Sequence, residues 1–138
     1  MIQHSILFNN LKEKGYKFDE KSIVNDSKMF RKSVEEILLE DNIVKDDELA
    51  KIKGEILNLP VKNFEKNETI EKEVLDIVEE SSARNYKLAV FDKNEKELFV
   101  MMLNPDNEKA FEAISFIAKQ RQLQLKVFVT TSESLQRA

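Results

Sequence analysis

The sequence predicts an α+β protein: an N-terminal helical subdomain over residues 1–58, then a compact α/β subdomain over residues 59–138 in β-α-β-β-α-β order. Three observations predict it. Apolar residues recur at helical spacing through the first half, and strand-like runs alternate with helical ones from Leu59-Pro60 onward. The third is the stretch Leu98–Ala118, LFVMMLNPDNEKAFEAISFIA, which changes period midway. Its first part, Leu98–Leu103, is an unbroken apolar run of strand length that should be buried on both faces. Asn104-Pro105-Asp106-Asn107 stops that run, and Pro105 suits the beginning of a helix, where a missing N–H costs little. Ala110, Phe111, Ala113, Ile114, Phe116, Ile117 and Ala118 then form a helical stripe, and Leu125–Val129 reads as a second strand, which completes a βαβ unit.

The elements follow in order. Ile2, Ile6, Leu7 and Leu11, widened by Phe8, share one helical face, and Gly15 stops that helix. Asp19 is an N-cap for a second helix carrying Ile23 and Val24, with Met29 and Phe30 as further candidates. Asn25-Asp26-Ser27 would equally make a turn, so the end of this helix is open. Ser33-Val34-Glu35-Glu36 is a capping box that starts a helix burying Val34, Ile37, Leu38 and Leu39. Asn42 ends it in the left-handed conformation. Asp46 and Asp47 place negative charge at the positive end of the next helix, which runs through Leu49, Ile52, Ile56 and Leu57. Gly54 inside that helix costs about 1 kcal/mol relative to alanine, which points to close packing there.

Val61–Phe64 alternates like a short strand, and a long helix is expected from Ile70 to Tyr86. Leu88–Phe91 and Glu97–Leu103 are strands joined by the polar loop Asp92–Lys96. Thr130-Thr131-Ser132 caps a terminal helix that begins just as the sequence stops, as at a border with a following domain. LKEKGY (Leu11–Tyr16) and LLEDNI (Leu38–Ile43) both read as a helix end, a left-handed residue and an apolar re-entry. They read as two helices stopping by the same capping physics rather than as a helical-hairpin repeat.

Composition narrows the function. The 138 residues are 41% hydrophobic and 35% charged, which fits a globular chain with one good core or two small ones. There is no apolar run of spanning length and no signal peptide. The absence of cysteine removes disulfides and thiolate metal sites. Net charge is −4, with basic and acidic residues interspersed, so no nucleic-acid footprint is expected. His4 is the only histidine, which argues against a His-based metal site or a Ser-His-Asp triad. Gly15 and Gly54 are the only glycines and cannot build a P-loop or a dinucleotide fingerprint. The carboxylate pairs Glu35-Glu36, Asp46-Asp47 and Glu79-Glu80 sit at helix starts or on polar faces, with no aromatic cleft beside them. No catalytic, cofactor-binding or metal-ligating residue is therefore assigned, and no cofactor is expected. Met101 and Met102 lie in the apolar strand and are expected in the core.

Three segments carry a resemblance. SVEEILLEDNIVKDDELAKIKGEILNLPVKNF is similar to the helix–turn–helix and Leu-Pro strand of the N-terminal domain of the motor ATPases of type IV pilus assembly and type II secretion. VEESSARNYKLAVF is similar to that family's helix ending in Ala-Arg-x-Tyr before a short strand. LFVMMLNPDNEKAFEAISFIA is similar to its strand, Asp/Asn-Pro turn and Ala-containing helix, and VFVTTSESL to its last strand and helix start. Together they span about 105 of the 138 residues. The resemblance implies a non-catalytic docking and regulatory domain in a hexameric motor, at the cytoplasmic side of the inner membrane. Its implied partners are the inner-membrane platform or an adaptor and the motor's own ATPase domains. The family often has a proline where this chain has Glu79, which leaves the long helix free to run on unbroken.

One branch of the family binds cyclic di-GMP through an Arg-Leu-Gly start to the helix–turn–helix and a glycine at its turn. Here those positions are Ser33, Val34, Glu35 and Asn42. The arginine that would stack on guanine is lost, Glu35 adds a carboxylate beside a dianion, and Asn42 hinders close backbone approach. Cyclic di-GMP is therefore expected to be an unlikely partner. A cyclic di-GMP-sensing module of the same motor is the alternative, and a stand-alone enzyme is disfavoured for want of a nucleophile–base pair.

Overall fold

A computed structural model describes residues 3–65 and 67–138. Its element order is α1 (His4–Glu13), α2 (Glu20–Phe30), α3 (Val34–Glu40), α4 (Asp46–Leu57), α5 (Lys72–Leu75), α6 (Glu80–Tyr86), β1 (Leu88–Lys93), β2 (Glu97–Met102), α7 (Glu108–Gln120), β3 (Gln124–Val129) and α8 (Ser132–Arg137). The α+β class is as the sequence predicts.

The helix boundaries follow local chemistry. Asp19 accepts from the Lys21 and Ser22 N–H groups, Ser33 from Glu36, Asn107 from Ala110 and Thr131 from Ser134. The open end of α2 is settled by tertiary packing: α2 passes through Asn25-Asp26-Ser27 and stops only at Arg31, whose φ is 54°. Gly15 (φ 93°) and Asn42 (φ 56°) end α1 and α3 with equivalent bonds, Tyr16 N–H to Leu11 C=O at 3.1 Å and Ile43 N–H to Leu38 C=O at 3.0 Å. The same bond closes α2, α4 and α7, from Lys32 to Ser27, Leu59 to Gly54 and Leu123 to Ala118. What LKEKGY and LLEDNI share is thus common to the helix ends of this protein.

The helices α1–α4 bury Leu7, Phe8, Leu11, Ile23, Ile37, Leu38, Val44, Leu49 and Ile52 in one cluster. Ile2 lies outside the described residues. Ile6, Met29 and Phe30 are exposed, at 48%, 72% and 60%, because α1 turns Leu7, Phe8 and Leu11 inward and α2 buries Ile23 alone.

The sheet has the order β1-β2-β3, with β1 antiparallel and β3 parallel to β2. The crossover through α7 is the expected βαβ unit. One sheet face, with Leu88, Val90, Leu98, Val100 and Met102, packs on Ala110, Ile114 and Ala118 of α7 and on Val74 and Val78. The other face carries Ala89, Met101 and Phe91 and meets Phe64, Leu75 and Leu135. Met101 and Met102 are both fully buried, one on each face.

Three expectations change. Val61–Phe64 makes no continuous strand but a single parallel bridge, Val61 to Val129, flanked by bonds from Lys62 N–H to Val129 C=O and Val129 N–H to Pro60 C=O. Pro60 offers no N–H, and Phe64 turns into the core, where its N–H donates to Ser134 Oγ at 2.9 Å. The long helix Ile70–Tyr86 breaks into α5 and α6, with Glu79 in an extended conformation (φ −59°, ψ 143°). Val74 of α5 and Val78 in the turn after it both enter the core on one sheet face, and Leu75 packs toward the other. The β-branched pair Ile77-Val78 makes the break cheap. Finally, Phe111 and Phe116 are 44% and 62% exposed, so α7 buries a narrow stripe of small and β-branched residues. Pro105 lies in the turn before α7, and Asn107 is its cap.

Candidate functional site

The two main cores face each other across a cleft of about 230 Å³ with mixed polar and apolar walls. Its helical wall is Ser33, Glu35 and Glu36 at the start of α3, with Lys53 of α4, and its opposite wall includes Asn104 and Tyr86. Ser33 Oγ accepts from Glu36 N–H at 3.1 Å and lies 3.3 Å from Glu36 Oε1, so the capping box forms with its return contact at the serine hydroxyl. Capping pins the first turn of α3 and places Glu35 toward α4.

Lys53 is the residue that sequence reasoning missed. It is 1% exposed, yet it carries a charge. Its Nζ donates to Glu35 Oε1 at 2.7 Å, to Asn104 Oδ1 at 3.1 Å and to the backbone carbonyl of Leu103. Three acceptors match the three N–H bonds of an ammonium, and no buried side-chain polar atom among the described residues lacks a partner. One signal could have found it: Leu49, Ile52, Lys53 and Ile56 share one inward face of α4, and a lysine there needs partners supplied from elsewhere.

The other candidate groups scatter. Asp46 Oδ2 accepts from Glu133 N–H at 3.3 Å, joining the start of α4 to α8. Glu80 pairs with Arg84 at 2.6 Å on the exposed face of α6. His4 packs its ring 5.5 Å from Phe8. Tyr16 donates to Glu48, and that hydrogen bond, followed by desolvation, raises the tyrosine pKa above its usual value of 10.0. Among the described residues, no group of three or more His, Asp or Glu side chains is placed to hold a metal ion. No helix among them is long and apolar enough to cross a membrane.

The structure also revises one of the three objections to cyclic di-GMP. The Glu35 charge is compensated by Lys53 at 2.7 Å. Asn42 holds a glycine-like φ of 56°, but it still carries a side chain where glycine has none. The missing arginine and the Asn42 side chain stand.

Comparison with known proteins then places the chain. No curated protein matches it. Among solved structures it is similar to MshE with cyclic di-GMP, at 18% identity and a TM-score of 0.70, covering 92% of this chain and 91% of that one. It is also similar to the N-terminal domain of XpsE, at 15% identity and a TM-score of 0.65, covering 99% and 94%. Identities this low speak for the fold. The MshE structure nevertheless overturns the expectation that cyclic di-GMP is an unlikely partner, because a domain of this fold is solved with that ligand. The MshEN domain matches residues 57–138, and that domain is not the catalytic ATPase domain of its parent motors. Since the match covers more than half of the chain, this protein belongs to the MshEN domain family, the N-terminal domains of type IV pilus and type II secretion motor ATPases.

Proposed function

We propose that this chain is a cyclic di-GMP-responsive regulatory module of a type IV pilus or type II secretion motor, working in the cytoplasm. The observation that carries this reading is the fold shared, over 92% of the chain, with MshE solved with cyclic di-GMP. Local geometry supports it at one point, since the Glu35 charge is compensated by Lys53. Isothermal titration with cyclic di-GMP tests it, with GTP and the linear dinucleotide as controls. Saturable binding with Kd of roughly micromolar, about −8 kcal/mol, is expected for the cyclic ligand alone. No heat at tenfold higher concentration overturns the reading.

A second reading keeps the docking role, in which the domain grips cytoplasmic parts of the inner-membrane platform while its own ATPase domains hydrolyse ATP. It is favoured by the sheet face at Phe91, Phe99 and Phe128, whose rings meet at tilted and edge-on angles with centroids 5.2–6.3 Å apart and remain half-buried. An apolar aromatic patch with a charged rim suits a protein partner. F99S should weaken capture of the platform segment without changing cyclic di-GMP heats. We also infer that the separate clusters correspond to subdomains 1–58 and 59–138, so residues 59–138 expressed alone should keep protected β1–β3 amides in hydrogen exchange.

A further inference from the structure

We propose that Lys53 is a positioning residue, an ionic latch that fixes the helical core onto the α/β unit and can be released through Glu35. Lys53 projects from α4, and its partners belong to both sides: Glu35 in α3, and Leu103 and Asn104 in the turn between β2 and α7. The sequence separation from Lys53 to Asn104 is 51 residues, so this contact joins two folding neighbourhoods and not two turns of one. Both residues line the cleft, but the Lys53 side chain is 1% exposed and that of Glu35 19%. The cation is thus sealed, and its counter-charge is open to a molecule in the cleft.

That asymmetry makes the contact releasable. A buried ammonium is tolerated only while its charge is compensated. Leu103 and Asn104 offer neutral oxygens, so among these contacts Glu35 supplies the whole opposing charge. A ligand whose N–H donors take over the Glu35 carboxylate would leave Lys53 underpaired, and the ammonium would then favour water over the interface. Losing it would free the turn that enters α7 from α3 and α4, so a local event at the start of α3 becomes a change of orientation between the cores. The latch itself stands on geometry alone. Its use by cyclic di-GMP rests on the function proposed above.

The chain has no cysteine, so K28C/K119C places spin labels on exposed sites of α2 and α7 without background. Wild type is expected to give one narrow distance distribution. K53M and E35Q should each add a second, displaced population, with helix and strand content unchanged by circular dichroism. A distribution that stays narrow in both folded variants overturns the latch. Should K53M fail to fold, E35Q decides, because its side chain is partly solvated. If wild type binds cyclic di-GMP by calorimetry, the ligand should add the displaced population in wild type and change nothing further in K53M. An undisplaced wild-type distribution under saturating ligand overturns release by this ligand. If wild type does not bind, the function proposed above fails while the ligand-free distances still judge the latch.

Discussion

Replacing Gly54 by alanine should destabilise the protein, although alanine is the better helix former. Gly54 lies in the last turns of α4, and alanine there would contribute about 1 kcal/mol of helix propensity. Against this, an added Cβ would stand 2.8 Å from the backbone oxygen of Leu59 and 3.1 Å from Val61 Cγ2. The obstruction is backbone, and Leu59 also closes the helix by donating its N–H to Gly54 C=O at 2.9 Å. Overpacking of this kind costs about 1–3 kcal/mol, and loosening the closing hydrogen bond about 1 more. The propensity gain is outweighed, leaving a net loss of about 2 kcal/mol, or roughly 6 °C in Tm for a chain of this length. Urea unfolding followed at 222 nm measures it. An increase in the urea midpoint at unchanged m-value would refute the reasoning, since it would mean that propensity prevails and that the Leu59 carbonyl is free to move.

Three further outcomes are expected. E35A should cost about 3 kcal/mol by leaving the Lys53 ammonium buried without its carboxylate, whereas the paired E35L/K53M change should be close to neutral; urea midpoints of the three chains compare them. Tyr16 has a raised folded-state pKa, so its bond to Glu48 stabilises fully below about pH 10 and is lost as pH rises through the folded value. Y16F should therefore flatten the alkaline limb of a Tm–pH curve, and an unchanged limb would remove Tyr16 as its source. F116S, at a residue 62% exposed, should change stability by no more than about 0.5 kcal/mol; a loss of several kcal/mol would restore Phe116 to the core.

Local signals read well because their causes are local. Asp19, Ser33 and Thr131 cap where a short side-chain oxygen can reach a free N–H two or three residues on, and Gly15 and Asn42 stop helices because both tolerate positive φ. The apolar run Leu98–Leu103 was legible as a buried strand because no polar residue interrupts it. Phe111 and Phe116 misled for a physical reason: helical spacing shows which residues share a face, not how wide a face the neighbour covers. α7 lies close on the sheet through Ala110, Ile114 and Ala118, and the larger rings are left outside. Glu35 was legible as a charge that disfavours an anion, but its compensation by Lys53 was not.

The residues alone thus set the α+β class, the helix caps and stops, the βαβ crossover and the resemblance to the motor N-terminal domains. Each depends on neighbours within a turn or two, or on the order of such pieces. Folding in three dimensions settled the rest: α2 running through its turn-prone middle, the bend at Glu79, the single bridge at Val61 and the burial of Lys53 between two cores. These depend on what lies across the gap, and Leu103 and Asn104, 50 and 51 residues further along the chain, meet Lys53 only once both halves have folded. Burial of a charge is governed by its partners, and periodicity carries no information about partners that far away.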